Sequence, residues 1–318
     1  MGFVNQVNMN YQMGSPQWLE ERRKGIGGTD VAAILGLSPW KTAYRIYQEK
    51  RKEVEDWQGS DATDWGKRME PAIRQWYSDT TGRSVRLPDK IMYHSKHPFM
   101  LASLDGFTDD RRVVEIKTAR FGKDWGNPGT NEIPDCYALQ CQHYLAVTGF
   151  KTADVVVSVS GASPDLYEIS EDKEMQEMII EAEARFWQRV TEGRPPEPVS
   201  YADAVSRFGK SAAEGIVTAS EATSSAVNEL ITVRGQISEL KAKEEEMKGK
   251  LIITLGEQGD TLALPDGTKL LTYKLSKGRA TFDAKTLERE LPAIYKKYLK
   301  IGEPQRRFLI KENNINIR

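Results

Sequence analysis

The 318-residue sequence predicts an α/β (α+β) fold carrying a C-terminal helical arm and a small α/β appendage. Three observations lead there. Short β-branched and aromatic runs crowd residues 84–118, between stretches of helical apolar spacing. A second helix–strand alternation fills residues 135–192. After Pro198 the composition shifts toward Ala and Ser. The expected division is a flexible N-terminus at 1–14, a core at 15–200, a helical, coiled-coil-like segment at 201–258, and a small basic α/β region at 259–318.

Residues 15–23 open with Ser15-Pro16 and read as a short helix. Gly25 to Gly28 break it, and Thr29 or Asp30 is a good N-cap for a helix over 31–35. Ser38-Pro39-Trp40 starts the next, over 42–50. Residues 51–60 are a polar linker. Trp65, Met69, Ile73, Trp76 and Tyr77 recur at helical spacing over 64–80, which places the aromatics in the core, and Gly82 stops that helix. Strands follow at 84–87, 91–93, 100–107 and 113–118, then a Gly-rich mobile loop at 119–132. Pro134 opens a helix over 135–148, ended by Gly149. Strands at 153–160 and 167–169 precede a helix over 171–192. From Leu230 to Leu251 apolar side chains step by three and four, interrupted by Glu244, as in a coiled coil. Strands at 261–264 and 268–275 flank Pro265-Asp266-Gly267, and a helix covers 284–298.

A formal net charge of −1 neither requires nor excludes nucleic acid, because a nuclease needs a local basic groove rather than a basic total. The two cysteines, Cys136 and Cys141, sit on one helix in poor disulfide geometry, which fits a reducing compartment. No apolar run reaches membrane-spanning length and no signal pattern opens the chain, so the cytoplasm is expected. No Cys/His spacing suggests zinc or an iron–sulfur cluster.

The chemistry concentrates at Leu104-Asp105-Gly106 and Val113-Val114-Glu115-Ile116-Lys117. Side chains two apart on a strand share a face, so Glu115 and Lys117 point one way and Val114 and Ile116 enter the opposite, apolar layer. Asp109-Asp110-Arg111-Arg112 supplies the turn. A carboxylate pair suits a hard divalent cation, and a neighbouring lysine can hold an attacking water or a charged oxygen. A surface hairpin with a cross-strand ion pair has the same composition. Gly25-Ile26-Gly27-Gly28 fails the dinucleotide-loop pattern, because Asp30 stands where the third glycine belongs and a helix precedes it.

Further residues come in a telling order: Trp18, Arg22, Gly27-Gly28-Thr29-Asp30, Trp65 through Glu70, Ser103 through Gly106, Glu115-Ile116-Lys117, and Tyr137 through Tyr144. Together they resemble the YqaJ / phage lambda-type exonuclease family, a branch of the PD-(D/E)XK nucleases. The resemblance implies a restriction-endonuclease-like core, a mixed central sheet flanked by helices. It implies that Asp105 binds two Mg²⁺ ions about 4 Å apart, with Mn²⁺ able to substitute, and that Glu115 and the Ile116 carbonyl complete one site. Lys117 would position water or stabilise charge, Glu70 would ligate a metal through water, and Gln140 would orient the lysine or the substrate. Arg22, Gly28 and Thr29 would capture the 5′-phosphate of a duplex end, Arg22 by bidentate contact and the glycines by letting a helix N-terminus approach the anion. Trp40 and Lys41 can meet the DNA near that end. Pro71 should kink the helix at Glu70 and aim its carboxylate at the metals.

The implied activity is a Mg²⁺-dependent, phage-type DNA exonuclease that degrades the 5′ strand of linear duplex and leaves 3′ overhangs for recombination. The implied partners are double-stranded DNA ends, a single-strand annealing protein and two further copies in a ring-like trimer. A structure-selective or nicking endonuclease shares the chemistry, and a non-catalytic DNA-binding or assembly module shares the fold. His94 and His97 are expected to have no role, a DNA backbone contact being the alternative, His143 is expected to be packed or hydrogen-bonded, and both cysteines are expected to be buried. From Lys285 to Arg318, nine Lys/Arg face four Glu, a surplus that suits solvent, DNA or a protein partner.

Overall fold

The computed structural model describes residues 15–55, 59–89 and 91–310. The expectations for residues 1–14 and for Lys311, Glu312 and Arg318 lie outside the described residues. The chain divides into two compact units, Met1–Arg207 and Phe208–Arg318.

The first unit opens with α1 (Pro16–Arg22), β1 (Ile26–Gly27), α2 (Gly28–Ile34), α3 (Ala43–Lys50) and the long α4 (Asp61–Thr81). Strands β2 (Val85–Arg86), β3 (Met92–Tyr93), β4 (Met100–Ala102), β5 (Gly106–Thr108) and β6 (Arg112–Ala119) follow. Helix α5 (Asp135–Thr148) connects β6 to β7 (Thr152–Val159), before β8 (Asp165–Ser170), α6 (Lys173–Glu192) and α7 (Tyr201–Phe208). The central sheet has the order β2-β5-β6-β7-β8. It is mixed: β6 and β7 run parallel over eight residue pairs, and the other neighbours are antiparallel. A parallel pair needs a crossover, and α5 is that crossover.

The sheet is covered on both faces. Val114, Ile116 and Val156 pack under Ile73 and Tyr77 of α4. Val113, Val155 and Val157 pack under Leu139 and Tyr144 of α5, with α2 and α6 beyond it. On the α4 side Tyr77 donates to Asp154 at 2.5 Å, and Arg112 grips the same carboxylate through Nε (2.7 Å) and Nη2 (2.6 Å). That chain ties α4 to the middle of the sheet.

Several sequence expectations are corrected. The run 100–107 is two strands in two sheets: β4 pairs with β1 and β3, and β5 pairs with β2 and β6. The chain bends at Asp105, and an ideal Cβ on Gly106 would meet Val85 Cγ1 at 2.4 Å, so only glycine lets β2 close on β5. Helix α2 starts earlier than Val31. Gly27 is its N-cap, and Asp30 accepts the Gly27 N–H at 3.0 Å instead of capping with its own backbone. Trp65 is not core; it is 57% exposed on α4, while Tyr77 is fully buried.

The second unit is led by α8 (Glu221–Leu255), a 35-residue helix capped by Ser220. It carries the seam read from sequence, but Val233, Ile237, Leu240, Met247 and Leu251 are exposed. A hairpin follows, β9 (Thr261–Ala263) with β10 (Lys269–Thr272), then α9 (Ala284–Glu290) and α10 (Pro292–Tyr298). The expected single helix over 284–298 is split because Leu291 precedes a proline and leaves the α region (φ −133°, ψ 59°).

Candidate active site

Strand β6 holds the centre. Glu115 and Lys117 share the face toward α5, as period-2 alternation requires, and Lys117 Nζ donates to Glu115 Oε1 at 2.5 Å. Gln140, on the buried side of α5, completes a triangle. Its Nε2 donates to Glu115 Oε1 at 2.6 Å and its Oε1 accepts from Lys117 Nζ at 3.2 Å. Gln140 Nε2 also donates to the Tyr144 hydroxyl at 3.1 Å, and that hydroxyl donates to the Ser103 carbonyl at 3.1 Å.

Asp105 sits in the bend before β5. Strand β5 pairs with β6 only at Val113 and Val114, so the β6 edge beyond is open on that side. Asp105 fills it: its Oδ2 accepts the Ile116 N–H at 2.9 Å. A strand residue's N–H and C=O point to the same edge, so the Ile116 carbonyl faces the aspartate's side as well. Arg74 of α4 donates to the Asp105 carbonyl at 3.2 Å and holds the bend.

The electrostatics are those of charges pressed together out of water. Burial pushes the Glu115 carboxyl up to about 7, and the nearby Asp105 charge adds to it, against the pull of Lys117 and Gln140. Burial likewise raises Asp105. Burial works against the Lys117 ammonium, but Glu115 and Asp105 outweigh it and hold its pKa above the usual lysine value. Glu70 is raised by burial and then by the Asp105 charge.

Glu115 Oε2 is buried with no hydrogen-bond partner. An orphaned carboxylate oxygen is costly unless a proton or a cation completes it. With Asp105 and the Ile116 carbonyl it forms a hard, all-oxygen donor set, which fits Mg²⁺ or Mn²⁺. Among the described residues no three His, Cys, Asp or Glu side chains are gathered into a ready metal cluster. Helix α4 continues through Pro71 to Thr81, and Glu70 stands half-buried on the cavity wall.

That cavity, about 640 Å³, is lined by Glu70, Ile116, Lys117 and Thr118 together with Trp18, Arg22, Thr29 and Lys50. The structure thus brings the N-terminal corner and the β6 residues to one space. Arg22 lies on the Trp18 ring (4.9 Å) and donates to Thr29 Oγ1 at 3.0 Å. Lys50 is buried, paired with Asp30 at 2.7 Å, and donates to the Arg22 carbonyl at 3.0 Å. Burial opposes the Asp30 charge, yet Lys50 and Arg22 overcome it and hold its carboxyl far below the usual range.

The glycines of this corner make room for side chains. A Cβ on Gly27 would meet Arg22 Nη2 at 2.8 Å, and one on Gly28 would meet Tyr144 Cε1 at 2.6 Å. They admit the guanidinium and the α5 side chains, and Asp30 takes the Gly27 amide.

Sequence reasoning missed Tyr144, Arg74 and the Asp30–Lys50 pair, which act through tertiary contacts that no local pattern marks. His143 is packed as expected: buried, it bridges the Leu101 carbonyl (2.8 Å) and Glu183 (2.7 Å). Cys141 is buried, Cys136 only half so, and both are free thiols.

Residues 17–151 match the YqaJ-like viral recombinase domain. The chain is 30% identical over 314 residues to the uncharacterized protein YqaJ of Bacillus subtilis (strain 168), covering 95% of this chain and 96% of that protein. The chain belongs to the YqaJ-like viral recombinase family. All the site residues from Arg22 to Gln140 fall inside the family domain, and the similarity to the Bacillus protein continues through the second unit. Among solved structures, the alkaline exonuclease LHK-Exo of Laribacter hongkongensis superposes with a TM-score of 0.47 at 18% identity, over 57% of this chain and 94% of that one. A phage-related exonuclease from Haemophilus somnus 129PT gives 0.40 at 12% identity, over 53% and 96%. No helix among the described residues is long and apolar enough to cross a membrane.

Proposed function

We propose that this family member is a divalent-cation-dependent DNA nuclease acting on the ends of linear duplex, removing the 5′ strand and leaving 3′ overhangs for strand annealing. One observation carries the reading. The unpartnered Glu115 Oε2 belongs to a buried carboxylate bonded to a charged Lys117, and that lysine lines the same cavity as Arg22.

Asp105, Glu115 and the Ile116 carbonyl would hold Mg²⁺, with Glu70 reaching it through water. The cation, when bound, polarises the phosphate and eases deprotonation of the attacking water. Lys117 keeps its proton, so its work is donation: it orients the water and neutralises charge that develops on the phosphate oxygens. Gln140 fixes the lysine, and Tyr144 fixes Gln140. Arg22, held by Trp18 and Thr29, would receive the terminal 5′-phosphate. A single-strand annealing protein, a trimeric ring, a second Mg²⁺ and a cytoplasmic setting, which the two free thiols suit, belong to the same proposal.

The test compares 5′-phosphorylated linear, 5′-hydroxyl linear and circular duplex, with Mg²⁺ and then with EDTA. End-directed hydrolysis consumes only linear DNA, faster with phosphate, and stops in EDTA. Cut circles would replace this reading with an endonuclease, and gel shifts without cleavage with a binding module.

A further inference from the structure

Trp40 is 69% exposed, yet it is not loose. Ser38 Oγ accepts both the Trp40 and the Lys41 N–H at 3.2 Å, which pins the turn that carries the ring. The indole faces Tyr137 with centroids 6.3 Å apart and planes 30° from parallel. Tyr137 in turn meets Trp125 at 5.6 Å and 32°. The Lys117 ammonium stands 4.8 Å from the Tyr137 ring centre. Tyr137 therefore joins the site lysine to an open indole and to a second tryptophan, and the residue after that open indole, Lys41, lines the cavity.

Packing explains the inner two rings, which are half-buried against the core. It does not explain the outer one. A large aromatic held rigid and open, beside cations, has the chemistry that takes a nucleobase face while phosphates follow the charges. We propose that Trp40, backed by Tyr137 and Trp125, is a stacking platform for an unpaired nucleobase next to the reacting end. The inference rests on the nuclease reading for the nature of its ligand and adds to it a binding subsite for single-stranded character.

The test is equilibrium binding in EDTA, where no hydrolysis intrudes, read by anisotropy of a 3′-labelled, 5′-phosphorylated hexathymidylate. The full-length protein, Trp40→Ala and Trp40→Phe are compared on the intact oligomer and on six versions, each with one abasic position. Trp40→Ala should weaken binding by about 5- to 100-fold, and Trp40→Phe should recover most of it. One abasic position should cost the wild-type protein a similar factor and cost Trp40→Ala nothing more. That non-additivity reports stacking and is not produced by a structural defect. Additive losses, no loss, or no binding by the wild-type protein overturn the platform. The duplex cleavage assay decides the nuclease reading separately: coupling without cleavage retains the platform and removes the enzyme, and cleavage without coupling does the reverse.

Discussion

A carboxyl group buried like that of Glu115 is a proton trap until something better arrives. Its pKa is raised from 4.5 to about 7, so the cation-free protein holds a proton that the unfolded chain has released. Stability of that form should therefore fall as pH rises across this window, and Glu115→Gln should flatten the fall in thermal melts. The cation competes with the same proton. Calorimetric titration with Mn²⁺ should give tighter binding at pH 8 than at pH 6, with proton release at pH 6. For turnover, Lys117→Ala should lower duplex cleavage by about a hundred- to a thousand-fold, and Asp105→Ala should abolish it. Circular dichroism of both should stay native. At this scale the sequence was informative where chemistry follows strand alternation: Glu115 and Lys117 on one face, Val114 and Ile116 on the other. It was silent on the tertiary contacts of Tyr144 and Asp30, with Ser103 41 residues away and Lys50 20 away.

Helices α2 and α5 meet where Gly28 lies against Tyr144 and Gln140. Gly28→Ala should cost about 1–3 kcal/mol in denaturant melts and lower cleavage by displacing Gln140 from Glu115. Helix α4 presents the opposite case. Pro71 removes one backbone bond within a helix that persists around it. Pro71→Ala should stabilise by about 1–2 kcal/mol, and with α4 helical on both sides of Glu70 it should leave cleavage unchanged; slower cleavage would show that the proline sets the position of that carboxylate. Elements with strong signals at both ends, such as α5 between Pro134 and a left-handed Gly149, were legible nearly to the residue. The run through Leu104 was not. Its apolar residues are buried from both directions, so the bend that separates two sheets leaves no change of pattern.

Across the whole molecule, burial is unevenly shared. Among the described residues, every buried apolar side chain except Leu255 lies before position 208. A chain ended at residue 215 should then keep its melting temperature within about 3 °C, the shift that about 1 kcal/mol makes in a domain of this size, and retain cleavage of linear duplex. A larger drop would show that the second unit supports the first. Sequence composition marked this change near Pro198 but could not say how little of the later segment is enclosed. The parallel pairing of β6 with β7 over eight residues has one more consequence. Sliding β6 by a single position would thrust Glu115 and Lys117 into the oily layer beneath α4 and turn Val114 and Ile116 toward Gln140. Misaligned chains would thus carry a stranded ion pair at their centre, and the groups set aside for hydrolysis also act as a checkpoint against assembling the sheet one notch out of place.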